Sequence, residues 1–324
     1  MGFKGILLIA VVIFFAMNMG ASGIAPSFAS TYGAKLIRKR SAIILFGISV
    51  VLGALLLGRN VTLTLAKSLL PRELITFDVA LIILGSATLG LFLANILKIP
   101  QSTSQVTVGA IVGTGLYFGG LNFKTLFIKI LPMWVILPLI SYGLTLLIYR
   151  EIYPPEHDNL HIYQKLFANE KKLKVSAQAV SCYVAFAIGT NNVGNAVGPL
   201  FGAGIIGINL GLLLISPIFG FGALVLGKGP LETAGREIVP LGLFSSTIVS
   251  FVTATLLIFA SMLGIPQSLV QLNLASIFAI SCLKNGHKCT WDHHMIQKTF
   301  VVWFITPLIS GTIAYLLLTM VFRK

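Results

Sequence analysis

The chain has 324 residues, 56% of them hydrophobic and only 10% charged, with a formal charge of +14. Soluble domains carry about 25% charged residues, so this chain cannot cover a globular surface with polar groups, and its outside has to face lipid. In a soluble chain the positive excess would point to nucleic acid; here Lys and Arg fall mainly in loops and read as membrane topology and contact with anionic lipid, and no nucleic-acid partner is expected.

Residues 5–34, 41–58, 79–97, 99–123, 130–149, 175–227, 238–283 and 299–322 contain no Asp, Glu, Lys or Arg. A spanning helix needs about 20 such residues. The pattern predicts an all-α, polytopic membrane protein with about ten to twelve passages, some short or broken. The dyad alternation of a membrane barrel is missing. Three cysteines, Cys182 and Cys282 in apolar runs and Cys289 in a loop, show no disulfide spacing.

The opening, Lys4 and then apolar residues to Met17, resembles a signal peptide. The residues after it recur later in the chain, which argues for a first membrane helix. That run meets Asn18-Met19-Gly20-Ala21-Ser22-Gly23-Ile24-Ala25-Pro26-Ser27, a density of Gly, Asn and Pro expected to interrupt a helix. Next comes the basic loop Lys35–Arg40, with four cations, and later Ile99-Pro100-Gln101-Ser102-Thr103-Ser104-Gln105. Proline followed by hydroxyls and amides suits a re-entrant turn opening into a short helix. The one long hydrophilic stretch, Arg150–Lys174, has five basic and four acidic residues and reads as a cytoplasmic linker.

After the linker the sequence repeats. A shift of 169 places Gly20 on Gly189, Gly58 on Gly227, Pro71 on Pro240, Trp134 on Trp303 and Pro138-Leu139-Ile140-Ser141 on Pro307-Leu308-Ile309-Ser310. A shift of 166 places Ile99-Pro100-Gln101-Ser102 on Ile265-Pro266-Gln267-Ser268. The chain therefore divides into a first membrane repeat (1–149), the linker (150–174) and a second repeat (175–324). Lys35–Arg40 is basic whereas its counterpart Gly204–Asn209 carries no cation. Such asymmetry is expected if the two copies face opposite sides, with both termini outside and the linker inside the cell membrane. Inverted repeats with broken helices and re-entrant hairpins are the architecture of many secondary transporters.

The candidate site follows from these elements. Ser22 stands in the first Gly-rich segment; Asn191, Asn192 and Asn195 stand in the second, Gly189–Pro199. Three amides within five residues cost desolvation unless they are paired or face a ligand. Ser102, Thr103, Ser104 and Gln105 from the first proline turn and Ser268 from the second add neutral donors. Amides at helix N-termini would complete an anion site. A packing seam of small residues, or hydroxyls bonded back onto their own helices, explains the same residues without a ligand. Glu232 stands in Gly227–Gly235, between long apolar runs, and is a candidate for coupling, balanced against an interfacial ion pair with Lys228 or Arg236. His287, Cys289, Asp292, His293 and His294 share one loop, but their spacing fits no standard metal site. No metal, cofactor, ATP-binding loop or catalytic motif is expected. Small-residue spacings at Gly109/Gly113 and Gly198/Gly202 leave a homodimer open without assigning an interface.

At these motifs the sequence resembles the inorganic phosphate transporter (PiT) family over essentially its whole length. That family's duplicated Gly-Ala-Asn-Asp-Val-Ala-Asn appears as Gly20–Pro26 and Gly189–Asn195, the second continuing into Ala196-Val197-Gly198-Pro199. Its Pro-Val-Ser-Thr-Thr-His appears as Pro100–Gln105, followed by Val108-Gly109-Ala110-Ile111-Val112-Gly113, and the Gly-Lys…Glu-Thr…Gly element around Glu232 is also similar. The family's Asp is replaced by Gly23 and Asn192, and its His by Gln105 and Gln271. With these departures the chain looks more like the bacterial sulfate permease branch. The resemblance implies a non-enzymatic permease for sulfate, thiosulfate or phosphate, coupled to protons or sodium. Physical chemistry favours sulfate: phosphate near neutrality carries protons that a carboxylate can accept, whereas sulfate carries none and suits a charge-free shell of donors. An anion channel, or a non-transporting subunit that binds a partner through the linker, remain the readings from other classes.

Overall fold

The computed structural model describes residues 2–96, 102–154, 159–161, 164, 168–227, 242–286, 288, 290 and 294–322. Among these the architecture is entirely helical. The first half contributes α1 (Phe3–Gly33), α2 (Lys39–Leu57), α3 (Arg59–Leu63, continued by a π-helical turn Thr64–Ser68), α4 (Phe77–Ile96), α5 (Thr103–Phe118) and α6 (Leu131–Arg150, entered through a π-helical segment Thr125–Ile130). The second contributes α7 (Glu170–Gly202), α8 (Ile208–Leu226), α9 (Leu243–Met262), α10 (Leu269–Asn285) and α11 (His294–Val321). Seven of the described helices are long and apolar enough to cross a membrane, and the helical stretches Phe77–Leu93 and Leu269–Asn285 are shorter apolar ones. This is a multi-pass membrane protein.

The expected interruption of the two Gly- and Asn-rich segments does not occur. α1 runs unbroken through Pro26, and α7 through Pro199. In a lipid environment a backbone break leaves N–H and C=O groups without water, so the helix persists wherever nothing else can satisfy them. The glycines serve close packing instead. A Cβ on Gly20 would fall on the Phe219 carbonyl, and one on Gly189 on the Val50 carbonyl. Likewise Gly53 abuts Phe186 and Gly222 abuts Met17. These contacts come in pairs: shifting both partners by 169, in opposite senses, turns each into the other. α1 with α8 and α2 with α7 are thus equivalent seams, closed by backbone-to-backbone approach.

The same exchange holds at the other end of each half. Ser141 of α6 donates to the Leu272 carbonyl of α10 at 3.0 Å, and Ser310 of α11 donates to the Val106 carbonyl of α5 at 2.8 Å. Ser141 and Ser310 are 169 apart; Val106 and Leu272 are 166 apart. The last helix of each half therefore packs on the short helix of the other. α1 and α7 also touch, with Thr31 meeting Ser181 (hydroxyls 3.1 Å apart) and the Gly23 backbone meeting Ile188. As one strand of contact ascends α1 it descends α7, so the two helices run antiparallel.

Candidate functional site

The real breaks lie at the starts of α5 and α10. Ser102 caps α5, its hydroxyl accepting the Gln105 N–H at 3.2 Å, and Ser268 caps α10 through the Gln271 N–H at 3.2 Å. The match between the two caps shows why Ser recurs at both places: it satisfies one orphan donor of each helix start. Before Ser268 the chain turns at Gly264, whose φ of +68° and crowding by Asn60 and Thr64 both exclude a side chain. Asn60 donates to the Met262 carbonyl at 2.8 Å and pins that turn to α3. Ile265, Gln267 and Ser268 then cross the interior as buried, non-helical backbone, extended at Ser268.

Asn191 and Asn195, one helical turn apart on α7, face both helix starts. The Asn191 amide donates to Ser261 Oγ at 2.9 Å and to the Ile265 carbonyl at 3.0 Å; its oxygen accepts the Gln267 N–H at 3.1 Å and the Ser104 hydroxyl at 3.3 Å. Two donors and two acceptors are all that a primary amide has, so Asn191 is fully used in joining α7 to the first turn of α5 and to the segment that leads into α10. Asn195 donates to Ser104 Oγ at 3.2 Å and lies 3.4 Å from Thr103 Oγ1. Thr190 reaches the same Ser261 hydroxyl at 2.9 Å.

Five amide atoms in this region are buried without a hydrogen-bond partner: Gln105 Oε1, Asn195 Oδ1, both side-chain atoms of Gln267, and Gln271 Oε1. Buried amides are normally paired, so a cluster without protein partners leaves bonding capacity open to water or a polar ligand. Gln267 already presents an unpaired NH2, and rotating the Gln105 or Gln271 amide by half a turn presents NH2 in place of C=O, so these three can meet an anion as donors. Among the described residues the carboxylates are Glu73, Asp78, Glu151 and Glu170; all four sit at helix ends, exposed or half-exposed. The described part of the site is polar, buried and free of charge.

Of the residues singled out in the sequence, the structure brings together Ser102, Thr103, Ser104, Gln105, Asn191, Asn195 and Ser268. It does not bring Ser22 into the network: the Ser22 hydroxyl donates to Met19 O of its own helix at 3.0 Å, as an ordinary helical serine does. Asn192 is half-buried and turned away from the face carrying Asn191 and Asn195. Glu232 lies outside the described residues, as do Gln101 and, in the histidine-containing loop, His287, Cys289, Asp292 and His293. Sequence reasoning missed Ser261, Gln267 and Gln271 as site residues. The repeat carried a signal for Gln271, which is the counterpart of Gln105; Ser261 had none.

Comparison with known proteins gives the family and the fold. The profile of the phosphate transporter family matches residues 19–166 and 156–314. This chain belongs to that family. It is 37% identical to the sulfate permease CysP of Bacillus subtilis, over 95% of this chain and 85% of that protein. It is 25% identical to a Pyrococcus furiosus protein provisionally named a phosphate permease, over 95% and 94% of the two chains. In structure it superposes on a sodium-dependent phosphate transporter with a TM-score of 0.82, covering 98% and 99% of the two chains at 22% identity, which shows a shared fold. Family and relatives are permeases, not enzymes, and the protein is a membrane transporter of the phosphate and sulfate permease type.

Proposed function

We propose that this transporter imports sulfate across the cell membrane by alternating access between two inverted halves, 1–149 and 175–324, joined by a cytoplasmic linker at 150–174. The observation that carries the substrate is the buried cluster of unpaired amides and capping hydroxyls with no carboxylate among its described residues. Sulfate is fully deprotonated near neutral pH and accepts hydrogen bonds without offering any, so NH2 groups, hydroxyls and helix-start N–H groups match it and a carboxylate would repel it. The 37% identity to a protein named a sulfate permease supports the same choice. The antiparallel contact of α1 with α7, together with the reciprocal seams, supports an inverted arrangement: two antiparallel spanning helices exchanged by a two-fold require an axis across them, in the membrane plane.

In this reading Ser102, Thr103, Ser104, Gln105, Asn195 and Ser268 contact the anion, joined by Gln267 and Gln271, while Asn191 holds the two turns in place. Ser22 and Asn192 border the path rather than the described network. Coupling to protons or sodium is assigned to Glu232. Both termini lie outside. Labelled sulfate and phosphate uptake into proteoliposomes, with and without imposed sodium and proton gradients, tests the reading. Saturable sulfate uptake that excess phosphate competes poorly is expected. Equal competition by phosphate would transfer the assignment to phosphate, and non-saturating flux would make the protein a channel.

A further inference from the structure

Behind the anion site, between α5, α6, α10 and α11, lies a cleft of about 780 Å³. Gln105 and Gln271 stand at its inner wall, and the remainder is almost wholly apolar. Its lining pairs repeat counterparts across the opening: Gln105 with Gln271, Val108 with Leu274, Val112 with Phe278, and Trp134 with Trp303. The rim is formed by Val135, Leu139, Phe304 and Leu308, each between 59 and 69% exposed. Val135 and Leu139 fall in the middle of the 26-residue span Thr125–Arg150. The mouth therefore opens onto the hydrocarbon layer, away from headgroups and water.

We propose that this cleft is a binding site for the acyl chain of a membrane lipid, and that the bound chain forms the dry rear wall of the anion site. Two considerations fix the occupant. An apolar cleft of this kind does not hold water. The phase in contact with its rim is hydrocarbon, with which the lining is continuous. The volume also falls within the range of small-ligand sites. Occupancy bears on transport in two ways. Hydrocarbon against Gln105 and Gln271 excludes water from their rear faces, which strengthens the bonds their amides make to an anion. Trp134, on the cleft wall, donates to the Pro266 carbonyl at 2.8 Å and so links the occupant to the turn that leads into Ser268. The acyl-chain site rests on the bilayer location and the cleft alone, whichever anion is carried, whereas its role as rear wall rests on the anion site proposed above.

A phospholipid carrying a photoactivatable diazirine near the end of one acyl chain tests it, with the full chain in liposomes and adducts mapped by mass spectrometry. Expected are adducts on inner-wall residues such as Val108, Val112, Ala275 and Phe278, in addition to the lipid-facing surface of α2 at Ile44, Ile48 and Leu52. Ala275→Phe, which fills the cleft, lowers inner-wall labelling severalfold and leaves α2 labelling unchanged. Val112→Phe fills it from the opposite wall and gives the same result independently of whether the first variant folds. Labelling confined to the rim, or inner-wall labelling indifferent to both fillings, overturns the proposal. Protection of the whole cleft with cross-links between two chains also overturns it, in favour of a second copy as the occupant.

Discussion

Replacing Asn191 by alanine tests whether this residue braces the site or touches the anion. The side chain makes four hydrogen bonds, two of them to backbone groups that have no other described partner, the Gln267 N–H and the Ile265 carbonyl. Ser261 and Ser104 are less affected, since Ser261 still donates to the Leu257 carbonyl and Ser104 still accepts from Asn195. Each backbone group left buried and unpaired costs about 1–3 kcal/mol, so Asn191→Ala is expected to lose about 2–6 kcal/mol of stability, felt locally as release of the 265–268 segment. Asn191→Asp keeps both acceptors but buries a carboxylate without a cation and turns one oxygen toward the Ile265 carbonyl, so it should destabilise at least as much as alanine. The readouts are the thermal midpoint of the purified protein in detergent and the rate of sulfate uptake in proteoliposomes. A brace lowers both together, and saturating sulfate does not restore the midpoint gap between variant and wild type. If Asn191→Ala melts like the wild type and loses only sulfate affinity, the amide is a ligand and the reasoning from its saturated bonding fails.

Other outcomes follow from neighbouring groups. Ser102→Ala and Ser268→Ala each remove a helix cap, costing about 0.5–2 kcal/mol of stability. Both should weaken sulfate uptake, and if neither does, the caps are purely structural. Asn192→Asp, on the face turned away from Asn191 and Asn195, is expected to weaken sulfate binding by less than about 1 kcal/mol through screened like-charge repulsion; a loss of about 3 kcal/mol in a competition assay would place Asn192 against the anion. Glu232→Gln should abolish gradient dependence while sulfate exchange continues, and the reverse pattern in an exchange assay would move Glu232 into the substrate path. Gly20→Ala and Gly189→Ala should each cost about 1–3 kcal/mol of stability and lower the thermal midpoint together; a large effect at one and none at the other would contradict the equivalence of the two seams.

Much of the fold was legible because it rests on composition and repetition. The charge-free runs locate the membrane helices, and the two shifts, 169 and 166, find the elements that the structure pairs. The starts of α5 and α10 were visible as turns opening into short helices, but Ser102 and Ser268 read there as donors to an anion, and only the structure shows them as caps. What the sequence misplaced were the breaks. Gly20, Pro26, Gly189 and Pro199 look like helix breakers in water, yet they stand within continuous helices, since only the neighbouring backbone reveals that a glycine serves contact. The asparagines illustrate a second limit. Residue type marks Asn191 and Asn195 as polar groups that must be paired, but only geometry separates the one with four partners from the one with an unpaired oxygen. Ser261 lies in a plain apolar helix and carried no signal at all.

The reciprocal packing of the halves has a consequence for how the two copies differ. Ser141 finds its acceptor on α10, and Ser310 finds its acceptor on α5. A lone half would leave its last helix and its short helix without these partners, and could obtain them only from a second copy of itself. Carrying both copies on one chain frees each from matching the other. Where an identical pair would have had to carry the same residue at both places, this chain carries Ser22 against Asn191 and Pro26 against Asn195, and the polar bracing of the site now comes from one lineage of the duplicated helix while the other has drifted toward packing.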